Sequence, residues 1–175
     1  FMDINDPVIQ ISITPNRPDA LGVRGIARDL QAKGIGSIIE QDINPTPGTF
    51  ESPIKVVLNS NVSDRDCPLF IGRYFKNVQN GPSPKWLQAR LKAIGLRPIS
   101  TLVDITNYLT YDQNRPLHVF DANKVKGSLE VRKARENEKI IALDEKEYTL
   151  DSTMTVISDS ESVESIGGIM GAMNS

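Results

Sequence analysis

Apolar and polar positions follow two rhythms along this chain. Leu21, Val23, Ile26, Ala27 and Leu30 recur at helical spacing, which predicts a first helix with Asp19 as its N-cap and Gly34 as its stop. Leu87, Leu91 and Ile94 predict a second, capped by Ser83, with Pro84 in the first turn and Gly95 at the end. A third is predicted over 101–111, with Ser100 as N-cap and Leu102, Ile105 and Leu109 as its buried stripe. The other rhythm is that of strands, predicted at 8–13, 54–58, 69–78, 129–132, 139–143, 148–150, 155–158 and 163–166. Residues 144–146 read as a hairpin turn, and 117–120 as a short extended piece after the Arg115-Pro116 turn. Together these elements predict an α+β fold, a mixed or antiparallel sheet with a few packed helices.

Proline and glycine crowd residues 41–53 with little periodicity, which marks a linker. It divides the chain into 1–43, a partial segment of an adjoining N-terminal domain plus linker, and 44–175, the main domain. A length of 175 residues suits one domain, or one domain with a fragment of another. The abrupt ends suggest a piece of a longer chain. With 20 basic and 22 acidic residues, the net charge of −2 argues against a free-standing nucleic-acid binder, though a local basic patch stays open. The single cysteine, Cys67, excludes an intrachain disulfide and a cysteine metal cluster, and reads as a small buried apolar residue. No apolar run has the length of a membrane helix, and the first residues are no signal peptide, so the expected location is cytoplasmic.

The densest polar chemistry lies in 96–121, LRPISTLVDITNYLTYDQNRPLHVFD. It holds the only histidine, His118, together with Arg97, Ser100, Asp104, Thr106, Asn107, Asp112 and Arg115, between Pro98 and Pro116. A lone histidine is open to two readings, a satisfied surface group or part of a small polar pocket shared with the arginine and the Thr–Asn pair. Thr106 and Asn107 point about 100° apart on a helix, so they share a pocket only at the edge of its buried face. Gly167, Gly168 and Gly171 bring backbone close to a ligand or a neighbouring strand, or simply form a bend; the spacing is not that of a phosphate loop. Trp86 and Arg17 invite readings as a base-stacking ring and a phosphate contact, beside plainer structural ones.

Six words in this order closely resemble the editing region of the family of bacterial phenylalanine–tRNA ligase beta subunits. They are TPNRPD at 14–19, CPLFIGRYFKNV at 67–78, GLRPI at 95–99, VDITNY at 103–108, RPLHVFD at 115–121 and IGGIMGA at 166–172. They span nearly the whole chain. The resemblance implies the editing-domain fold and a hydrolytic function, cleavage of tyrosine misattached to phenylalanine tRNA. A hydrophobic pocket rejects an added hydroxyl only about a hundredfold, so a second, hydrolytic site supplies the remaining discrimination. Carried over by motif, His118 and Asn107 become the catalytic, water-positioning groups. Arg97, Thr106, Pro116 and Gly168 become substrate-binding residues, and all of these are expected to line one cleft.

The same resemblance implies an enzyme that aminoacylates its tRNA with ATP and magnesium through sites outside this chain. No cofactor or metal is expected here. The implied partners are phenylalanine tRNA and the ligase alpha subunit in a heterotetramer, with no membrane. The family glutamate that reads the tyrosine hydroxyl falls beyond Ser175, and Glu161 and Glu164 are not its equivalents, so editing by this chain alone is expected to be weak. Leu117 and Val119 flank His118, and Ala172 stands where glycine is common. The rival from another class is a non-catalytic scaffold that only holds tRNA or the partner subunit.

Overall fold

The computed structural model describes residues 7–174. The chain divides into two units, one built from residues 7–46 and 78–119 and the other from 47–77 and 120–174. The break at 46/47 falls within the predicted linker, which forms no helix or strand.

The first unit is helical. A short 3-10 turn at Pro18–Ala20 leads into α1 (Val23–Ala32), followed after the excursion through the second unit by α2 (Lys85–Ala93) and α3 (Thr101–Gln113). Asp19 does not cap α1; it sits in the 3-10 turn and Gly22 takes the cap position. The reason is local charge: the Asp19 carboxylate accepts from Arg17 at 3.0 and 2.9 Å and also from Arg28. Arg17 beside it holds the Asp19 carboxyl down at about 2. Arg17 reaches Asp29 as well, at 2.6 Å, so its guanidinium ties the turn to the helix, which is the structural reading of TPNRPD. The inward face of α1 is made by Gly22 and Gly25, while Leu21, Val23 and Leu30 are exposed.

Both helix ends predicted at glycine are found. At α2, Gly95 adopts a φ of +83° and its N–H bonds Lys92 O at 3.0 Å, while Leu96 N–H bonds Leu91 O at 2.9 Å. This is the paired closure of a helix by a left-handed residue, and Gly34 ends α1 in the same pattern, with Ile35 N–H on Leu30 O at 3.1 Å. The start of α2 differs from expectation. Pro84, not Ser83, is the cap residue, and its carbonyl accepts from Leu87 and Gln88 at 3.0 and 3.1 Å. Leu87 and Leu91 are buried as predicted, whereas Ile94 is exposed. Trp86 flanks this helix, half exposed, with its ring edge-on to Tyr108 at 5.7 Å.

The second unit is a mixed sheet, as the sequence predicts. Its order is β1 (Val56–Leu58), β2 (Leu129–Lys133), β5 (Thr155–Ser158), β6 (Val163–Ile166) and β7 (Met170–Gly171). β1 runs parallel to β2 and the other pairs are antiparallel. The hairpin β3 (Glu138–Ile141) and β4 (Glu147–Leu150) forms its own ladder. The end of β3 and the residues after it meet β7 and the residues after it through Leu143 N–H to Gly171 O and Met173 N–H to Ile141 O, each 3.0 Å. Successive residues of β5 point to opposite faces. Val156 joins one apolar cluster with Ala134, Ile140, Leu150, Val163, Ile166 and Ala172. Ile157 joins another with Val125, Leu129 and Val131, against which the half-buried Cys67 and Phe70 pack. Val163 and Ile166 are three apart yet share a face, because Ser158 pairs Val163 while Ile157 pairs Ser165, leaving Glu164 as the extra residue of a bulge.

Two predicted strands are absent. Residues 8–13 and 69–78 pair with no ladder, and Ile9, Ile71 and Phe75 stand well exposed. A pattern of period two gives a strand only where a partner supplies the hydrogen bonds, and β-rich composition alone does not. Residues 117–120 likewise join no ladder. Conversely, β7 lies inside what the sequence presents only as a glycine-rich loop.

Candidate functional site

The stretch 95–121 separates into side chains spent on the fold and side chains left over. Ser100 takes the N-cap position of α3, but its side chain makes no cap bond. The exposed donors of the first turn are met by the loop before α2 instead. Thr101 N–H bonds Gly81 O at 2.8 Å, and Leu102 N–H bonds Asn80 Oδ1 at 3.2 Å. These are two of the donors that every helix start leaves open.

The buried face of α3 is not the predicted Leu102, Ile105 and Leu109 stripe. Leu102 and Leu109 are half-buried, Ile105 is 41% exposed, and the one fully buried side chain of the helix is Asp104, at 0%. Its two carboxylate oxygens replace apolar packing with fixed partners. Oδ1 accepts from Ile99 N–H at 2.9 Å and Oδ2 from the Ser83 hydroxyl. A buried carboxylate is tolerated only when its oxygens are satisfied in this way. Spacing of apolar residues could not disclose it; the signal in the sequence was an aspartate four residues after a helix cap, with a serine at the previous helix entry.

Thr106 and Asn107 follow on the same helix. Counting about 100° per residue, Asn107 lies about 60° from the Asp104 direction and Thr106 about 160°. Both are half-buried, so the pair straddles the edge of the packed face rather than sharing it. The Thr106 hydroxyl donates back to Val103 O at 2.7 Å, a bond within its own helix turn. Asn107 forms no hydrogen bond with another described residue through its carboxamide. Helix α3 ends at Asn114, which adopts a left-handed φ of 53° and donates its side-chain amide to Pro18 O. Pro116 and His118 then lie in the exposed segment after the helix. Protein packed around the imidazole lowers the His118 pKa below its ordinary 6.5 although the residue remains open to solvent. At neutral pH it is an uncharged ring, able to accept a proton.

Arg97 lies between two pinned backbone points, Leu96 N–H on Leu91 O and Ile99 N–H on Asp104 Oδ1, each 2.9 Å. Its side chain is exposed and forms no ion pair among the described residues. Arg97, Thr106, Asn107, Pro116 and His118 therefore all belong to the first unit. Gly168 belongs to the second, in the tight β6–β7 turn, with a φ of +72° and no atom within 4 Å of where a Cβ would stand. The neighbouring Gly167 differs, since a Cβ there would meet Thr155 O at 3.0 Å. Two open depressions of about 400 and 390 Å³ also lie in the second unit, one between Lys124, Lys126, Asp159 and Glu164, the other along the β3–β4 hairpin. Neither includes a candidate catalytic or substrate-binding residue of the sequence reading, and Asp159 in the first is already occupied by the N–H groups of Lys126, Glu161 and Ser162.

Comparison with known proteins adds to this geometry. A family model described as the B3/4 domain matches residues 66–175. The chain is 64% identical over 166 residues, 95% of its length, to a protein of Ruegeria pomeroyi named phenylalanine–tRNA ligase beta subunit. It is 56% identical over all 175 residues to the protein of that name in Brucella melitensis, and 53% identical over 171 residues to that of Cereibacter sphaeroides. It spans about a fifth of the length of these curated relatives, 21%, 22% and 21% respectively. The resemblance carried by the six sequence words is thus borne out, as is the α+β fold.

Proposed function

This chain belongs to the B3/4 domain family, and we propose that it is the editing region of a phenylalanine–tRNA ligase beta subunit, hydrolysing tyrosine misattached to phenylalanine tRNA. The observation that carries the reading is the division of labour in 95–121. Asp104 and Asn114 are consumed by the fold, while the side chains of Arg97 and Asn107 have no hydrogen-bond or ion partner among the described residues. A segment held this firmly, yet presenting polar groups it does not use internally, suits a ligand.

In this reading water attacks the ester carbonyl of the misattached tyrosine, the acyl C–O bond to the tRNA ribose breaks, and the ribose oxygen leaves as a hydroxyl with a proton from the water, giving free tyrosine and tRNA. His118, neutral at pH 7, holds that water by its lone pair and takes up proton density as the bond forms. The Asn107 amide orients the water or meets the developing oxyanion. Arg97 offers a planar fork of donors to a phosphate of the tRNA end. Thr106, whose hydroxyl is turned into its own helix, presents its methyl and its backbone rather than a free donor. Pro116 fixes the backbone ahead of His118, and Gly168 leaves room beside its turn for an amino-acid ring.

Within the same reading the partners are the tRNA and the ligase alpha subunit, and the setting is the cytosol. No helix among the described residues is long and apolar enough to cross a membrane. ATP and magnesium serve aminoacylation elsewhere in the ligase. Among the described residues no group of three His, Cys, Asp or Glu is placed to hold a metal ion.

The test uses full-length ligase carrying this sequence. Release of tyrosine from preformed tyrosyl-tRNA is followed for the parent, His118→Ala and Asn107→Ala enzymes. Loss of a positioned base or its water is expected to slow cleavage by roughly 10²-fold or more, with phenylalanine charging retained. Cleavage unchanged by both substitutions would mean that this region only holds RNA or a partner subunit.

A further inference from the structure

We propose that Asn80, Ser83 and Asp104 form a clasp that acts as a positioning device for the editing site, setting Arg97 and the Thr106–Asn107 pair in one fixed register. The inference rests on the editing reading above and assigns a role to residues that reading leaves unused.

The clasp joins three pieces of chain. Asn80 Oδ1 accepts from Leu102 N–H at 3.2 Å and from Gly81 N–H at 3.1 Å, and its Nδ2 donates to the Ser100 hydroxyl at 3.3 Å. The Gly81 carbonyl accepts from both Thr101 N–H and the Thr101 hydroxyl, at 2.8 and 2.9 Å. Ser83, buried, donates to Asp104, while its carbonyl takes the Gln88 side-chain amide at 2.6 Å. Asp104 completes the circuit through Ile99 N–H. The loop before α2, the loop before α3 and the first turn of α3 are therefore locked together by these side chains.

The consequence for the site is geometric. Arg97 lies two residues before the pinned Ile99, and Thr106 and Asn107 lie two and three residues after Asp104. Neither flank of the candidate site can move relative to the other without breaking a bond to a fully buried carboxylate. A misplacement of about 1 Å in a positioned group costs on the order of a hundredfold in rate. Part of that loss, roughly tenfold, is the expected effect of loosening one arm. None of the three clasp side chains needs to touch substrate, so substrate binding is expected to change less than turnover.

The experiment measures kcat and KM for tyrosine release from tyrosyl-tRNA by full-length ligase, with parent and His118→Ala as controls. Asn80→Ala and Ser83→Ala each remove one arm. Both are expected to lower kcat about tenfold while KM stays within about twofold, at a temperature where melting shows every enzyme folded. Asn80→Asp keeps the acceptor for Leu102 N–H at a helix start that favours negative charge, and is expected to restore kcat. If the parent cleaves and needs His118, but both alanine variants keep the parent kcat, the clasp is only structural and the inference fails alone. An unrestored Asn80→Asp enzyme overturns it equally. If the parent cleaves no better than His118→Ala, the editing reading falls and the inference with it.

Discussion

Arg132 and Glu138 meet through two parallel hydrogen bonds, Nη1 to Oε2 at 2.9 Å and Nη2 to Oε1 at 2.7 Å. Their side chains are only 11% and 16% exposed, and Arg132 Nε also donates to the Ser158 hydroxyl at 3.0 Å. The pair fastens the start of the β3–β4 hairpin to strand β2, which lies between β1 and β5 in the sheet. Removing one partner leaves the other charge without compensation, at a cost of about 3–5 kcal/mol for a well-buried pair. Glu138→Ala is therefore expected to lower the denaturation free energy by roughly 3 kcal/mol. A loss under about 0.5 kcal/mol, the range of ordinary surface changes, would show that the pair is as weak as an exposed one.

The same pair has a pH signature. The Arg132 hydrogen bonds hold the Glu138 carboxyl below its ordinary 4.5, against the opposing effect of burial. A folded pKa below the unfolded one means the unfolded chain binds more protons in that interval, so stability rises with pH there. The contribution is complete above 4.5 and is lost as pH falls through that value toward the folded one. Denaturant midpoints measured from pH 6 downward are expected to fall less steeply for Glu138→Gln than for the parent chain. Equal slopes would remove Glu138 from the acid-sensitive groups.

Gly25 sets the closeness of α1 to the turn before it. A Cβ built there would stand 2.1 Å from Asp19 O and 2.8 Å from Ala20 Cα, both backbone atoms. Backbone cannot rotate away as a long side chain can, so the helix must shift. Gly25→Ala is expected to destabilise the first unit by about 1–3 kcal/mol, despite the better helix propensity of alanine. An alanine variant as stable as the parent, by thermal melting, would mean that the turn yields freely.

How far the sequence disclosed this structure depends on which force made each element. Strands β2, β4 and β5 were legible because their alternation feeds two apolar clusters, β6 because its apolar ends enter one of them across a bulge, and Leu87 and Leu91 because helical spacing puts both on one buried face. Asp104 was legible as polar chemistry but not as a core residue. Its burial depends on Ser83, 21 positions earlier, and on a backbone N–H, neither of which leaves a periodic trace. The failed strands at 8–13 and 69–78 are the reverse case, local patterns that no partner strand completes. His118, Asn107 and Arg97 were singled out by motif resemblance; what the structure adds is the bond of Asp104 to Ile99 N–H, which pins the Arg97 segment to α3 and leaves no trace in apolar spacing.

Gly168 is a test of backbone against space. Nothing lies within 4 Å of its missing Cβ, so a methyl group meets no clash, yet its φ of +72° is costly for an ordinary residue. The left-handed region costs about 1–2 kcal/mol for most side chains and less for asparagine. Thermal melting is expected to rank Gly168→Asn above Gly168→Ala, and Gly168→Val lowest because its β-branch adds strain. If the editing reading proposed above holds, Gly168→Val in full-length ligase is also expected to suppress tyrosine release. Unchanged release by a folded Gly168→Val enzyme would remove this turn from the amino-acid pocket.

His118 is the only histidine in the chain, so its ring protons give a single titrating set of resonances. Burial against surrounding protein lowers its pKa from 6.5, and its NMR midpoint is expected below that value. The sign follows from the neutral form being favoured in the fold. Its contribution to stability is complete above 6.5 and is lost as pH falls through that value toward the folded pKa. Catalysis should report the same group in the free enzyme, since the acid limb of kcat/KM follows the base that must be unprotonated. Tyrosine release by full-length ligase is therefore expected to climb with pH through the NMR midpoint and level off by pH 7. A midpoint at or above 6.5 would contradict the desolvated setting. A rate that stays flat across the measured midpoint would exclude His118 as the group that holds the attacking water, and would move that role to Asn107 or to the substrate's own ribose hydroxyl.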